Sequence, residues 1–189
     1  MRLAILCPGP SLARGESAAW KDYDLTLAVN RAAAAHPCDW WVFGDPEGFH
    51  QTIPQGHPNL CTPRRSWAKT CNPGIEGYWW VLAFEEIDTD VRLEFNWRNH
   101  SLTAAMVLAE WLTRRKARLA IHETDEIDIF GCDWKVGADY YDGGVDPIAH
   151  HAHRFEGERH AYGRVAQWIA GKGIELRRQK FDFAGVGKG

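Results

Sequence analysis

The sequence predicts an α/β domain with a mainly parallel β-sheet, and three observations support this prediction. Short apolar runs alternate with helix-like segments, the order expected when helices connect parallel strands. The apolar runs are nearly continuous rather than alternating, as in strands that are covered on both faces. The chain has 189 residues, of which 45% are hydrophobic, enough for one domain with a sizeable core.

Turn and breaker residues bound the first predicted elements. Residues 2–7 are an apolar run that ends in Pro-Gly-Pro, which marks a buried strand and the turn after it. Ser11 can cap the following helix, and Pro37 stops a short Ala-rich one. Trp40 and Trp41 are adjacent in a strand and should therefore serve opposite faces of the sheet. Up to residue 45, the predicted strands are 2–7, 24–30 and 39–45, and the predicted helices are 11–20 and 31–35.

The remaining elements include the clearest helix of the chain. Apolar residues recur at helical spacing over residues 102–115, and Ser101 can cap this helix. Prolines and glycines interrupt residues 46–99, which are predicted as an irregular insertion or lid of a single domain spanning 1–189. The other predicted elements are strands at 60–62, 126–133 and 174–177, a strand or buried helix at 78–84, a loop at 135–153 and a helix at 156–171.

The composition excludes several classes of partner. Ten Trp, eight Phe and five Tyr argue against disorder as the main state. The formal net charge of −3 argues against nucleic acid as a partner, and no run approaches the ~18 apolar residues that span a membrane. The five scattered cysteines form no Cys-x-x-Cys pair, which favours reduced thiols and a cytoplasmic location. The sequence leaves formation of a homo-oligomer open.

Polar residues follow the predicted strands and indicate a site. In parallel sheets, ligands bind beyond the carboxyl ends of the strands, where the strand order reverses. The turn at Gly9 and Ser11 could bring backbone amides and a helix N-terminus to a phosphate, or it could be a plain strand–helix turn with a structural cap. It is neither a Walker loop nor a full Gly-x-Gly-x-x-Gly fingerprint. Asn30, Asp45 and Asp133 end later strands on the same rim.

These motifs resemble two known groups of proteins. Gly9-Pro10-Ser11-Leu12, followed by Asn30 and Asp45 at strand ends, resembles the bacterial sialyltransferases that open with Asn-Gly-Pro-Ser-Leu. It also resembles the MptE-like domains, which are related to 6-hydroxymethylpterin pyrophosphokinase. Gly131-Cys132-Asp133-Trp134 matches the Gly-x-Asp strand end of that second group, and uncharacterised phage-borne proteins share the layout. The resemblance covers roughly residues 1–50 and 100–178.

The resemblance implies a Rossmann-like three-layer domain that acts as a nucleotide- or nucleotide-sugar-dependent transferase on a small-molecule substrate. The transfer would be glycosyl or diphosphoryl. By resemblance, the donor contacts Gly9, Pro10, Ser11 and Asn30. Pro8 stands where the sialyltransferases have Asn, which removes one polar contact with the donor. The alternative is a non-catalytic ligand-binding or phage assembly-associated protein with a degenerate fold of the same type.

Further residues complete the predicted donor site. Asp45 and Asp133 could bind Mg²⁺ together with substrate phosphates, or they could simply cap local structure. Ser101 lies at a helix N-terminus, which attracts anions, although the pattern favours an ordinary N-cap. Trp134 could stack on a base or sugar. The predicted donor-binding residues are Gly9, Pro10, Ser11, Asn30, Asp45, Ser101, Gly131 and Trp134.

The acceptor side is predicted from a histidine-rich segment. His150, His151 and His153 precede the last predicted helix, and His153 is nearest to its start. A histidine could remove a proton from an acceptor hydroxyl, and Arg159 could hold a phosphate bidentately. The alternatives are a zinc site or a solvated loop with a polar helical turn. The predicted catalytic residues are His153, Arg159 and Asp133.

Overall fold

The fold is described by a computed structural model, which covers residues 1–14, 20, 22–44, 58–64, 81–87, 100–117, 125–134 and 152–179. Within these residues a single sheet contains seven strands, and every strand pair is parallel. The strands are β1 (Arg2–Leu6), β2 (Leu25–Val29), β3 (Trp40–Val42), β4 (Asn59–Thr62), β5 (Val81–Ala83), β6 (Glu126–Phe130) and β7 (Glu175–Arg178). The predicted Rossmann-like α/β class is confirmed.

Helices connect and cover these strands. They are α1 (Ala32–Ala35), α2 (Ser101–Ala117) and α3 (Ala152–Ala170), with 3-10 helices at Pro10–Arg14 and Phe84–Glu86. The helix expected from Ser11 onward is a 3-10 helix in its described part. The last helix begins four residues before the predicted start, because no proline or glycine interrupts residues 152–156. Residues 152 and 153, which were expected in a loop, are therefore helical.

The hydrophobic core lies on both faces of the sheet. On one face, Leu3 and Ile5 pack with apolar residues of α2 and α3. On the other face, Ala4 and Leu6 pack with α1 and the 3-10 helix at Pro10–Arg14. Trp40 belongs to the first cluster and Trp41 to the second, so the expectation for this pair is confirmed. The second adjacent pair, Trp79 and Trp80, lies outside the described residues.

Part of the segment predicted as an insertion belongs to the sheet. The strand expected at 60–62 is confirmed as part of β4, and residues 81–83 take the strand alternative as β5. Each adds to the same edge of the sheet, with β4 beside β3 and β5 beside β4. The described parts of residues 46–99 therefore add two strands to the β3 side of the sheet.

The strand order fixes where a ligand site is expected. The order is β5-β4-β3-β2-β1-β6-β7, so the chain first moves outward from β1 and then returns to its other side at β6. The order reverses between β1 and β6, and the loops that follow these two strands border a crevice there. Among the described residues, no helix combines the length and the apolar character needed to cross a membrane.

Candidate functional site

The loops after β1 and β6 are joined by hydrogen bonds. The backbone N–H of Gly9 donates to the carbonyl oxygen of Gly131 at 2.9 Å. The backbone N–H of Ser11 donates to the carboxylate Oδ2 of Asp133 at 2.8 Å. These four predicted site residues, which are far apart in sequence, therefore meet at the point where the strand order reverses.

Two glycines make this approach sterically possible. A Cβ on Gly9 would lie 2.3 Å from the carbonyl oxygen of Gly131 and 2.5 Å from Oδ2 of Asp133. Gly131 has a φ of +68°, and a Cβ there would lie 2.2 Å from the carbonyl oxygen of Cys7. Both glycines are therefore required by contacts within the protein, whereas the sequence suggested that Gly9 opens space for a phosphate.

The turn at residues 8–12 has no backbone N–H left for a phosphate. Pro8 and Pro10 carry none. The N–H groups of Gly9 and Ser11 donate to the β6 loop, and that of Leu12 donates to the carbonyl oxygen of Gly9 at 3.0 Å. The Asp133 carboxylate thus occupies the start of the 3-10 helix, where the sequence suggested an anionic ligand. The backbone amides of this turn therefore bind protein oxygens, where the sequence suggested that they could bind a phosphate.

Asn30 directly follows β2 and has an unusual conformation. Its φ is +52°, in the left-handed region that Asn tolerates better than most residues. Its backbone is well bonded, because its N–H donates to the carbonyl oxygen of Val42 and its own carbonyl accepts from the Trp41 indole, both at 2.9 Å. Its side-chain Oδ1 is buried and has no hydrogen-bond donor among the described residues. A buried acceptor without a donor costs about 1–3 kcal/mol, which a ligand donor would recover.

The N-terminus of α2 lies on the same rim. The hydroxyl oxygen of Ser101 accepts a hydrogen bond from the backbone N–H of Gly44, just after β3, at 2.9 Å. A Cβ on Gly44 would come within 2.9 Å of that oxygen, so the two loops are closely packed. The first turn of this 17-residue helix therefore points its dipole toward the carboxyl edge of the sheet, where negative charge is favoured.

Trp134 is held by protein contacts. Its φ is +46°, and its indole Nε1 donates to Oε2 of Glu158 at 3.1 Å. Its ring lies edge-on to Tyr162 at 5.1 Å and has the Arg178 guanidinium 5.1 Å from its centroid. Its carbonyl oxygen accepts from Arg159 at 2.8 Å. This half-buried indole thus connects the β6 loop to α3. The sequence suggested only that it could stack on a base or sugar.

The histidine that precedes the predicted cap Ser101 lies beside this cluster. His100 Nδ1 is 3.9 Å from Oε1 of Glu158, and both side chains are largely buried. Glu158 thereby links α3 to the start of α2 and, through Trp134, to the β6 loop. The sequence places His100 with Ser101 at the start of the clearest predicted helix, but it gives no sign of the contact with Glu158.

Among the residues predicted to assist the acceptor substrate, Arg159 is the one that the structure places near the rim. It also lines an open groove of ~660 Å³ along α3, together with His160, Gly163, Arg164, Gln167 and Trp168. His153 lies in the first turn of α3, but its side chain, like Asp45, His150 and His151, is outside the described residues. Within the described part of the chain, no group of three or more His, Cys, Asp or Glu residues could hold a metal ion. The Mg²⁺ site at Asp45 and Asp133 stays a prediction.

Comparisons with known proteins do not assign this chain to a family. No protein-family model matches it. No curated protein matches it either. Since one fold hosts many functions, the function has to be argued from the site itself.

Proposed function

We propose that the protein is a nucleotide- or nucleotide-sugar-dependent transferase, catalysing glycosyl or diphosphoryl transfer, with the donor bound beyond the carboxyl ends of β1, β2 and β6. The observation that carries this proposal is the buried, unbonded Oδ1 of Asn30 beside the point where the strand order reverses. An acceptor in that position supports a ligand that supplies a hydrogen-bond donor.

The polar groups of the crevice favour the sugar or base part of a donor over its phosphates. Oδ1 of Asn30 is an acceptor, and the Asp133 carboxylate can accept further hydrogen bonds besides the one from Ser11. Both therefore suit ribose hydroxyls or a base amino group. Donor phosphates would lie toward the first turn of α2 at Ser101 and toward Arg159, whose guanidinium has five N–H donors.

The acceptor hydroxyl has to lose a proton during transfer. His153, Asp133 and Arg159 remain the predicted catalytic residues. His100 joins them, because Glu158 lies near its Nδ1 and would favour the imidazolium that forms when the ring takes a proton. If Mg²⁺ participates, it would bind donor phosphates with one or two carboxylates, of which Asp133 is one candidate.

Asn30 offers a test of donor binding with a matched control. Asn30→Gly removes the amide and suits the positive φ, whereas Asn30→Asp keeps an acceptor in the same place. We expect Asn30→Gly to weaken binding by about tenfold or more, which is about 1.4 kcal/mol, and Asn30→Asp to stay closer to wild type. Calorimetry with cytidine monophosphate, cytidine diphosphate, ATP and a cytidine monophosphate sugar, each with and without Mg²⁺, measures this effect. Equal affinities of wild type and Asn30→Gly, or no binding of any of these compounds to wild type, would contradict the proposed site.

The second candidate function is ligand binding without catalysis. The satisfied amides of residues 8–12 favour it, because the turn lacks the phosphate cradle that a transferase of this layout would use. Incubation with a bound nucleotide sugar and a mixture of sugar acceptors separates the two candidates. A transferase converts the donor to a free nucleotide faster than it decays in buffer, and a binding protein leaves it intact.

A further inference from the structure

Two cysteine side chains meet beneath the crevice. Cys7 follows β1 and Cys132 follows β6, and both side chains lie in the same buried apolar cluster. Both are buried, with 5% and 8% of their surfaces exposed, and both point to the face covered by α2 and α3. They also flank the loops that carry Gly9 and Asp133. Nothing in the proposed transfer reaction uses either thiol.

The backbone places the two cysteines at the ends of adjacent strands. β1 and β6 are paired with Leu6 opposite Phe130, and the Cys7 N–H donates to the carbonyl oxygen of Phe130 at 2.8 Å. The left-handed Gly131 then brings the next residue, Cys132, toward Cys7. Cys7 is thus opposite Gly131, and Cys132 is the next residue along. Neighbouring strands lie about 4.8 Å apart, and a disulfide between the two cysteines would have to span this diagonal with a Cα separation of about 4.4–6.8 Å.

We propose that Cys7 and Cys132 are a redox modification site that forms a reversible disulfide by reaction with a small disulfide such as oxidised glutathione. The link would covalently join the loops that follow β1 and β6, under the crevice. This inference does not depend on the proposed function, because it follows from the place of both thiols at the ends of adjacent strands and in one buried cluster.

The reaction proceeds in two balanced steps. First, the Cys132 thiolate attacks one sulfur of oxidised glutathione, its proton having gone to solvent, and one glutathione thiolate leaves. Cys7 then loses its proton to solvent and attacks the Cys132 sulfur of the mixed disulfide, which releases the second glutathione. Two protein thiols are oxidised, and one glutathione disulfide is reduced to two thiols.

The surroundings of Cys7 assign it the second step. Its hydrogen bond with Cys132, then burial, and then the negative charges of Glu158 and Asp133 raise the pKa of Cys7 well above its usual value. Cys7 is therefore mostly protonated near neutral pH, and closure of the disulfide should accelerate as the pH rises. Cys38 and Cys61 lie on other elements, before β3 and within β4, and serve as controls.

The test oxidises the full-length protein with oxidised glutathione and maps its disulfides by mass spectrometry of peptides. We expect one product, in which the peptides of Cys7 and Cys132 are joined and two hydrogen atoms are lost, and we expect dithiothreitol to reverse it. Cys7→Ser should stop at the mixed disulfide on Cys132. Cys132→Ser should form no link, whereas Cys38→Ala, Cys61→Ala and Cys71→Ser should still form it.

Several results would overturn this inference. They are a link that involves Cys71 or another cysteine, a mixed disulfide that persists in wild type, and no reaction of wild type over a range of mildly alkaline pH. Circular dichroism checks that each variant has the secondary structure of wild type. If Cys7→Ser does not fold, blocking experiments on wild type replace it: a thiol alkylating reagent applied in denaturant after oxidation should label Cys38, Cys61 and Cys71 and spare both linked cysteines. Labelling of Cys7 or Cys132 under those conditions would also contradict the proposal.

Discussion

At the scale of single residues, the crevice depends on glycines that leave room for protein atoms. Gly9 and Gly131 allow the two strand-end loops to touch, and the Asp133 carboxylate takes the first free N–H of the 3-10 helix. The same short motif that resembles a phosphate-binding turn therefore acts as an interlock between β1 and β6. Pro8 and Pro10 contribute by supplying no N–H that would need a partner.

The interlock predicts a large effect of adding one methyl group. Gly9→Ala should destabilise the protein by about 1–3 kcal/mol, because its Cβ would collide with the Gly131 carbonyl oxygen and the Asp133 carboxylate. Gly163→Ala is the matched control, since a Cβ there meets nothing within 4 Å and α3 gains helix propensity. That variant should be more stable by about 0.5–1 kcal/mol. Urea unfolding midpoints measure both, and similar midpoints for the two variants would contradict the interlock.

The candidate site shows where sequence reasoning stops at this scale. The residue types at strand ends predicted that Gly9, Ser11 and Asp133 would gather at one rim, the resemblance added Gly131, and the structure brings all four together. The sequence could not show which amides are already bonded, because that depends on the register between β1 and β6. It also offered no reason to select Glu158, whose contacts with His100 and Trp134 arise only when α3 packs beside α2.

At the scale of elements, hydrophobic runs predicted which segments form strands more reliably than where they end. Each described strand lies within or overlaps a predicted one, but β3 spans only Trp40–Val42 where the pattern suggested residues 39–45. The physical reason lies just beyond the strand, where the backbone N–H of Gly44 bonds the hydroxyl oxygen of Ser101 instead of a neighbouring strand. Tryptophan alternation was the most informative signal, since Trp40 and Trp41 are on opposite faces.

The sheet also buries a charge network that periodicity did not indicate. Asp128 in β6 is fully buried and accepts hydrogen bonds from Arg177, from Gln179 and from the hydroxyl of Tyr23. Burial raises the pKa of Asp128, but these hydrogen bonds, led by that of Arg177, lower it further than burial raises it. Arg177 also bonds Glu126 at 2.6 Å, where the carboxylate is partly exposed.

Arg177 forms its short ion pairs with two carboxylates that differ in burial, Asp128 and Glu126, while Glu175 is 3.8 Å away. Asp128 and Glu126 therefore give a matched pair of variants. Asp128→Asn should destabilise the protein by about 2–3 kcal/mol near neutral pH, because a buried charge-assisted network loses its anion. Glu126→Gln should cost less than about 1 kcal/mol, because the pair is partly solvated. Thermal unfolding at several salt concentrations measures both effects. Equal losses of stability in the two variants would contradict the expectation that the buried Asp128 contributes more than the partly exposed Glu126.

The lowered pKa of Asp128 predicts how the stability of the protein changes at low pH. Its stabilising effect is fully present above the ordinary Asp value of 3.8 and is lost as pH falls through the lower folded-state pKa. Wild type and Asp128→Asn should therefore converge in stability under strongly acidic conditions. A difference between them that stays constant down to that range would contradict this account.

At the scale of the whole molecule, one parallel sheet covered on both faces accounts for the burial of most described thiols. Cys7, Cys61 and Cys132 are buried, and Cys38 is half-buried between α1 and β3. Burial and then the Asp39 carboxylate raise the pKa of Cys38 to about 12, against a lowering by a hydrogen bond with the Ala28 backbone. Burial and then Glu86 raise the pKa of Cys61 as well. The native state therefore keeps thiol protons that the unfolded chain releases.

This difference predicts that the whole fold loses stability in alkali. Between the ordinary thiol value of 9.0 and about 12, the unfolded chain binds fewer protons than the native protein, so stability falls as pH rises. Each thiol that stays protonated contributes up to about 1.4 kcal/mol per pH unit to this slope. Cys38→Ala should therefore lose stability less steeply than wild type above pH 9, although the two should run parallel at neutral pH. Urea midpoints across that range measure the slopes. Identical slopes would show that Cys38 ionises as readily in the folded protein as in the unfolded chain. They would contradict the prediction that burial beside α1 and β3 keeps this thiol protonated.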